Sequence, residues 1–272
     1  MIVHNFDPVL IDLGFFQIRW YSIAYILGIT LGWMYAIKII KFTTNKKYNF
    51  DSVNSVNKEQ FDNLLVYLVF GIILGGRIGY VIFYDIEYYS QNLLEIFKIW
   101  QGGMSFHGGL LGVIVAIFIF SKNKNTNFFE YSDVVSCVAP IGLFLGRIAN
   151  FINGELYGKI STLPWAVIFP NGGNVARHPS QIYEAILEGI LLFILINFFA
   201  FKKNLIIKTG YVSSFFLISY SILRIFSENF REPDQHLGYF FNYFSMGTLL
   251  SISTLIVGFL IIFLIKKNEQ NN

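Results

Sequence analysis

FDNLLVYLVFGIILGGRIGYVIFY, residues 61–84, decides the fold. Wound as a helix at 1.5 Å per residue it rises about 36 Å, enough to cross the roughly 30 Å apolar core of a bilayer. Asp62 and Arg77 are its only charges, so a helix of this composition has no face suited to water. Gly71, Gly75 and Gly79 recur at every fourth position, a spacing that lets helix backbones approach closely in lipid.

Comparable apolar runs lie on both sides of it. With residues 61–84, the runs at about 19–40, 104–120, 134–152, 179–201, 210–230 and 243–265 make seven. The chain is 54% hydrophobic and 14% charged over 272 residues, too apolar for a water-soluble domain. The expected fold is an all-α polytopic membrane protein with seven transmembrane helices. It forms one membrane-embedded domain over residues 1–272, with no separate soluble domain. Gly28 with Gly32, and Gly142 with Gly146, repeat the four-residue spacing and are expected to pack helices in the same way. The residues before Arg19 lack the order of a cleaved signal peptide, so the first helix is expected to stay as an anchor.

Lysine and arginine are sorted along the chain. Twelve of the twenty basic residues, all lysines, fall at the end of, or after, the first, third, fifth and seventh runs. The positive-inside rule makes that side cytoplasmic, with the N-terminus outside and the C-terminus inside. All six arginines, Arg19, Arg77, Arg147, Arg177, Arg224 and Arg231, lie within runs or on the outer side. Guanidinium is a planar fork of donors suited to phosphate and carboxylate, whereas lysine is a flexible point charge. The outer segments 85–103 and 153–178 are rich in Gly, Asn and aromatic residues. They are expected to form small outer-face arms over a site.

Polar clusters gather toward the outer ends of the runs. GRIANFINGELYG, residues 146–158, puts Arg147 and Asn150 three apart on one helical face, with Asn153, Gly154 and Glu155 where the helix should end. A charge within a span costs of order 2.5–3.5 kcal/mol and calls for a partner or a cavity. Arg147 therefore needs an anion, either Glu155 in a structural ion pair or a substrate phosphate.

YSILRIFSENFREPD, residues 220–234, spaces Tyr220, Arg224 and Glu228 by four, with Arg231 three further on. An intrahelical ladder accounts for Glu228 but leaves one guanidinium unmatched. In GGMSFHGGLLG, residues 102–112, His107 stands among Gly102, Gly103, Gly108 and Gly109. These glycines could let a headgroup or peptide approach the imidazole, or the histidine could be a hydrogen-bonded structural residue. Glu184 and Glu188 are expected to balance the charge of the arginines, Arg77 among them. Tyr21 is either an interfacial belt residue or part of the site. Cys137 is the single cysteine and reads as a buried structural thiol. No metal cluster or nucleotide loop is visible, so no cofactor, metal or nucleic-acid partner is expected.

GRIANFINGELYG resembles the signature of the prolipoprotein diacylglyceryl transferases. GGRIGYVIFYD, GGMSFHGGLLG, RHPSQIYE, the Arg224–Glu228–Arg231 stripe with PD after it, and SMGTLLSI follow in the family's order across essentially the whole chain. The segment from Ser161 to Arg177 looks shorter than in some members. The resemblance implies a bacterial inner-membrane (plasma-membrane) enzyme whose site faces the outer side. Such an enzyme moves a diacylglyceryl group from phosphatidylglycerol to the lipobox cysteine of a prolipoprotein signal peptide, forming a thioether and releasing glycerol phosphate.

By the same resemblance, His107, Arg147, Arg224, Tyr21, Asn150 and Glu155 are the candidate catalytic residues. Arg147, Arg224, Asn153, Gly158, Glu228 and Arg231 are the candidates for binding phosphatidylglycerol. Arginines would stabilise the leaving phosphate, and either His107 or their field would activate the thiol. A transporter or a non-catalytic lipoprotein-binding protein is the rival reading. The polar residues favour the outer ends and leave the inner halves apolar, which does not suit a conduction path.

Overall fold

A computed structural model of the protein describes residues 2–14, 17–47, 56–99, 102–233, 238–240 and 243–271. Seven long helices stand among the described residues: α1 (Trp20–Lys47), α2 (Lys58–Tyr84), α3 (Phe106–Lys124), α4 (Phe128–Ile152), α5 (Ser180–Lys202), α6 (Tyr211–Glu228) and α7 (Met246–Asn271). All but α6 are long and apolar enough to cross a membrane, six where the sequence led us to expect seven. The reason lies in α6 itself. It carries Arg224, Glu228 and five serines, and it turns Ser213, Ser214, Tyr220, Ser221, Arg224 and Ser227 inward. The fold is polytopic and mainly helical, but not purely so: β1 (Ile2–Val3), β2 (Val9–Asp12), β3 (Gln17–Arg19), β4 (Val167–Ile168) and β5 (Ala176–Arg177) are short strands. They are too brief to leave an alternating pattern in sequence.

By packing, the chain divides into two compact units, residues 39–134 and residues 1–38 with 135–272. In the first, α2 and α3 meet along a glycine seam. A methyl group on Gly71 would lie 2.6 Å from the Gly112 carbonyl oxygen, and one on Gly75 would lie 2.7 Å from the Gly112 Cα. One on Gly79 would run into Gly108. The backbones therefore touch where side chains would separate them, which maximises dispersion contact in a solvent that offers no hydrophobic drive. This corrects the expectation for Gly108, whose bare face is filled by α2 and does not open to a ligand.

Arg77, buried on α2, donates to the carbonyl oxygens of Glu95 (2.6 Å), Ile96 (2.8 Å), Gly102 (2.6 Å) and Gly103 (3.3 Å). Its charge is met by carbonyl dipoles instead of the glutamate expected for it. The short helical turns Ile86–Gln91 and Leu93–Phe97 are thereby tied to α2. A methyl on Gly103 would meet the guanidinium at 2.8 Å, so this glycine makes room for Arg77 and not for a substrate.

In the other unit, β1 pairs with β4 in parallel, β4 with β5 antiparallel, and β2 with β3 antiparallel. Helix α5 begins directly after Pro179, as that proline suggested. It widens to a looser hydrogen-bonding turn over Ala185–Leu191 and again over Phe198–Lys202. Between these, Asn197 donates to the Cys137 carbonyl (3.2 Å) and accepts from Tyr35 (3.0 Å). Gly28 would carry a methyl 3.3 Å from the Gly142 Cα. A methyl on Gly146 would meet nothing within 4 Å, so the expected packing role does not extend to that residue.

Candidate active site

Helix α5 places Glu184 and Glu188 one turn apart, both fully buried. Arg147 of α4 grips both, Nη1 to Glu184 at 2.8 Å and Nη2 to Glu188 at 3.0 Å. Arg224 of α6 grips them from another side, its Nη1 lying 3.0 Å from Glu184 and 3.3 Å from Glu188. Its Nη2 pairs with Glu228 at 2.7 Å, and Arg231 lies 3.6 Å from Glu184. Three guanidinium groups thus face three carboxylates in one buried cage. Ser227 donates to Glu188 at 3.0 Å, and Ser245 donates to Glu228 at 2.7 Å. Gly247, beside Ser245, has no room for a methyl, which would sit 2.8 Å from Glu228 Oε1.

A second cluster forms at the end of α4. Tyr21 of α1 donates to Glu155 at 2.5 Å, Asn150 donates to the same carboxylate at 2.8 Å, and Asn150 also donates to the Tyr21 hydroxyl. The chain leaves α4 through Gly154 at φ +64° and Leu156 at φ +56°, the latter a left-handed conformation that a leucine adopts only under constraint. The constraint is visible: Gln181 donates to the Glu155 carbonyl at 2.6 Å, and Ser180 donates to the Leu156 carbonyl at 3.0 Å. Beyond, Gly158 donates its N–H to the His178 carbonyl at 2.9 Å, and its own carbonyl accepts from Arg177 at 3.2 Å. Lys159 nearby and partial burial push the His178 imidazole pKa below its ordinary value, burial being the larger cause.

Residues 8–264 match the family model described as prolipoprotein diacylglyceryl transferase. The chain belongs to that family. A phosphatidylglycerol–prolipoprotein diacylglyceryl transferase of Rhizobium meliloti (strain 1021) is 47% identical over 93% of this chain and 89% of its own length. Namesakes from Rickettsia bellii (strain OSU 85-389) and Paramagnetospirillum magneticum (strain ATCC 700264 / AMB-1) are 45% and 47% identical. The first covers 99% of this chain and 98% of its own length, the second 93% and 91%.

Within this family member, Arg147, Arg224, Glu228 and Arg231 meet in the cage, and Tyr21, Asn150 and Glu155 meet in the second cluster. Glu155, one of the two partners open to Arg147, is not paired with it: the two glutamates of α5 take that place, while Asn150 donates to Glu155. Glu228 pairs with Arg224, and the guanidinium left over by the α6 ladder, Arg231, lies 3.6 Å from Glu184. Tyr21 turns its hydroxyl into the second cluster, onto Glu155 and Asn150. The bare face of Gly158 is filled by protein, since a methyl there would fall 2.7 Å from the His178 carbonyl oxygen. Asn153 is partly buried, and its Oδ1 has no hydrogen-bond partner among the described residues.

His107 belongs to the other unit. There it is buried at the start of α3, edge-on to Phe106, with Ser105 capping the helix through Gly108 N–H at 3.2 Å.

Glu184 and Glu188 balance the charge of Arg147 and Arg224 as expected, and they form the centre of the cage. Ser180 and Gln181, which hold the turn at Glu155 and Leu156, are not marked by any of the clusters above. Polar residues in RHPSQIYE, immediately ahead of an apolar run, were the available signal.

Proposed function

We propose that this chain transfers the diacylglyceryl group of phosphatidylglycerol to the cysteine thiol in the lipobox of a prolipoprotein. A carbon–sulfur bond forms and a carbon–oxygen bond breaks. The electron pair stays on the phosphate oxygen, and glycerol phosphate leaves. Such a leaving group needs its charge met more than it needs a proton, so fixed guanidinium donors in a dry site are the suitable catalyst. The observation that carries this reading is the cage. Arg147 and Arg224 are held by buried glutamates so that their orientation is set before a phosphodiester arrives. Each guanidinium has five N–H donors. Arg147 directs one from each terminal nitrogen to the glutamates, which leaves the others for phosphate oxygens.

Arg224, Glu228 and Arg231 complete the lipid headgroup site, and Asn153 adds its amide to it. Gly158 acts through the backbone crossing that it permits. Tyr21, Asn150 and Glu155 orient the thiol-bearing peptide. His107 takes the thiol proton, because thiolate is the nucleophile and imidazole titrates near neutrality. Neither rival reading, transport or passive lipoprotein binding, finds support among the relatives' names.

We place the chain in the bacterial inner membrane with α6 as a seventh span, the N-terminus outside, the C-terminus in the cytoplasm and the cage toward the outer face. The lysine distribution supports this orientation. Cysteine labelling in intact cells should reach Lys159→Cys and spare Lys122→Cys; the opposite pattern inverts the topology.

The activity is tested with purified protein in micelles, labelled phosphatidylglycerol and a lipobox peptide, against a peptide whose cysteine is replaced by alanine. Arg147→Lys should lose transfer nearly as completely as Arg147→Ala, since lysine keeps the charge but not the fork. Near-normal transfer by the lysine variant would reduce Arg147 to a general positive charge.

A further inference from the structure

The segment ahead of the first span has no part in the readings above, yet it is fastened to the turn that carries Glu155. The His4 N–H donates to the Ile168 carbonyl at 2.9 Å, extending the pairing of β1 with β4. Its side chain is buried at 6% exposure among the rings of Phe6, Phe151 and Phe169, with centroids 5.3 to 5.5 Å away. The imidazole Nε2–H donates to the Phe151 carbonyl at 2.7 Å. That carbonyl lies in the last turn of α4, one residue after Asn150, and it also accepts from Gly154 N–H at 3.0 Å. The ring lies over Gly154 as well: a methyl there would be 3.1 Å from His4 Cε1. Gly154 is the left-handed residue that turns the chain toward Glu155.

Phe151 O closes the turn, and the imidazole both bonds that oxygen and covers the glycine. On the far side Gln181 holds the Glu155 carbonyl at 2.6 Å, so the turn is clamped from two directions. Glu155 in turn receives Tyr21 and Asn150. We propose that His4 is a positioning residue for the transfer reaction, clamping the turn at 151–155 so that the Glu155 carboxylate stays in register with Tyr21 and Asn150. The proposal rests on the transferase reading of that cluster. The Nε2–H is present in the imidazolium as well as in the neutral tautomer that donates here, so the clamp works without a proton being gained or lost.

Three variants test it in the purified full chain. His4→Phe keeps an aromatic ring without the donor, His4→Gln keeps a donor without the ring, and His4→Ala keeps neither. A misplacement of this kind can cost up to about 100-fold in rate. His4→Ala is expected to lower kcat about 10- to 100-fold with KM for phosphatidylglycerol within about twofold. His4→Gln should recover more activity than His4→Phe, and the pH profile of each variant should parallel that of the wild type.

Amide hydrogen exchange supplies a readout that does not depend on activity. In His4→Ala, the peptide spanning residues 150–157 should exchange faster while α5 and α6 stay protected. Wild-type rates in His4→Ala, or exchange that rises equally throughout α4, α5 and α6, would overturn the clamp. A changed pH profile would overturn it too, because it would make His4 a proton carrier. Absence of transfer by the wild type, with the local exchange change still present, would sink the transferase reading and leave the clamp standing.

Discussion

The protein brings helices together in two opposite ways. In the unit of residues 39–134, α2 and α3 approach by removing side chains, with Gly71, Gly75 and Gly79 laid against Gly108 and Gly112. In the other unit, α4, α5 and α6 converge on charge, through Arg147, Arg224 and Arg231 against Glu184, Glu188 and Glu228. The seam depends on shape and tolerates no added volume. The cage depends on pairing, and a buried ion pair gains little net stability over apolar packing, although losing one partner is severe. The seam accordingly reads as scaffold, and the cage as a feature whose use lies in holding guanidinium groups in place.

The sharpest way to break this contrast is Glu184→Ala. It removes the carboxylate shared by Arg147, Arg224 and Arg231 and leaves buried positive charge uncompensated. A loss of about 3–5 kcal/mol is expected, together with transfer. Denaturation in detergent and the labelled-lipid assay would measure the two. A variant that stayed stable and active would show the cage to be incidental.

His107 adjoins Gly108 of the seam, and its proposed role as base for the thiol can be tested directly. At neutral pH, His107→Asn should slow transfer by about 10²–10⁴-fold. Part of the rate should return as the pH approaches the thiol's own pKa of about 8.5, where thiolate forms unaided. A variant profile parallel to the wild type at similar rates would pass activation of the thiol to the arginines.

Graded glycine substitutions sharpen the seam side. Gly75→Ala forces a methyl into the backbone of α3 and should cost about 1–3 kcal/mol. Gly28→Ala meets the Gly142 Cα at 3.3 Å, a tight contact that small shifts relieve, and should cost less. Gly146→Ala meets nothing within 4 Å and should be neutral, or stabilising by up to about 1 kcal/mol through helix propensity. Thermal unfolding of the three variants in one detergent gives the order directly. Equal losses at all three positions would mean that close approach is not what these glycines provide.

What the sequence made legible follows from how each region is built. Apolar runs and glycine spacing are local patterns, so the positions of the helices and the α2 face of the seam could be read directly. The partner face at Gly108 and Gly112 lies in a different run, where bare glycines beside His107 are equally compatible with access for a ligand and with close helix packing. The acceptors of Arg77 are backbone carbonyls, which no residue letter marks, so a glutamate was expected in their place. Arg147 was correctly seen to need an anion. The choice between Glu155 and the α5 pair depended on the direction in which α4 leaves the membrane run, and that direction is set by Gly154, Leu156 and the anchoring of Gln181. Strands of two residues, such as β1 and β4, are fixed by pairing between residues 165 apart, Ile2 with Val167 and Val3 with Ile168, and leave no periodic trace.

The equal numbers of guanidinium and carboxylate groups in the cage bear on how an anionic lipid finds it. With no excess charge, the cage has only a weak field beyond its own walls, and a headgroup is not drawn in from a distance. If the headgroup binds at the cage as proposed, recognition begins at contact and capture should depend little on ionic strength. Discrimination among anionic headgroups would come from how well each fits the remaining N–H donors, and surface charge would contribute little to the choice.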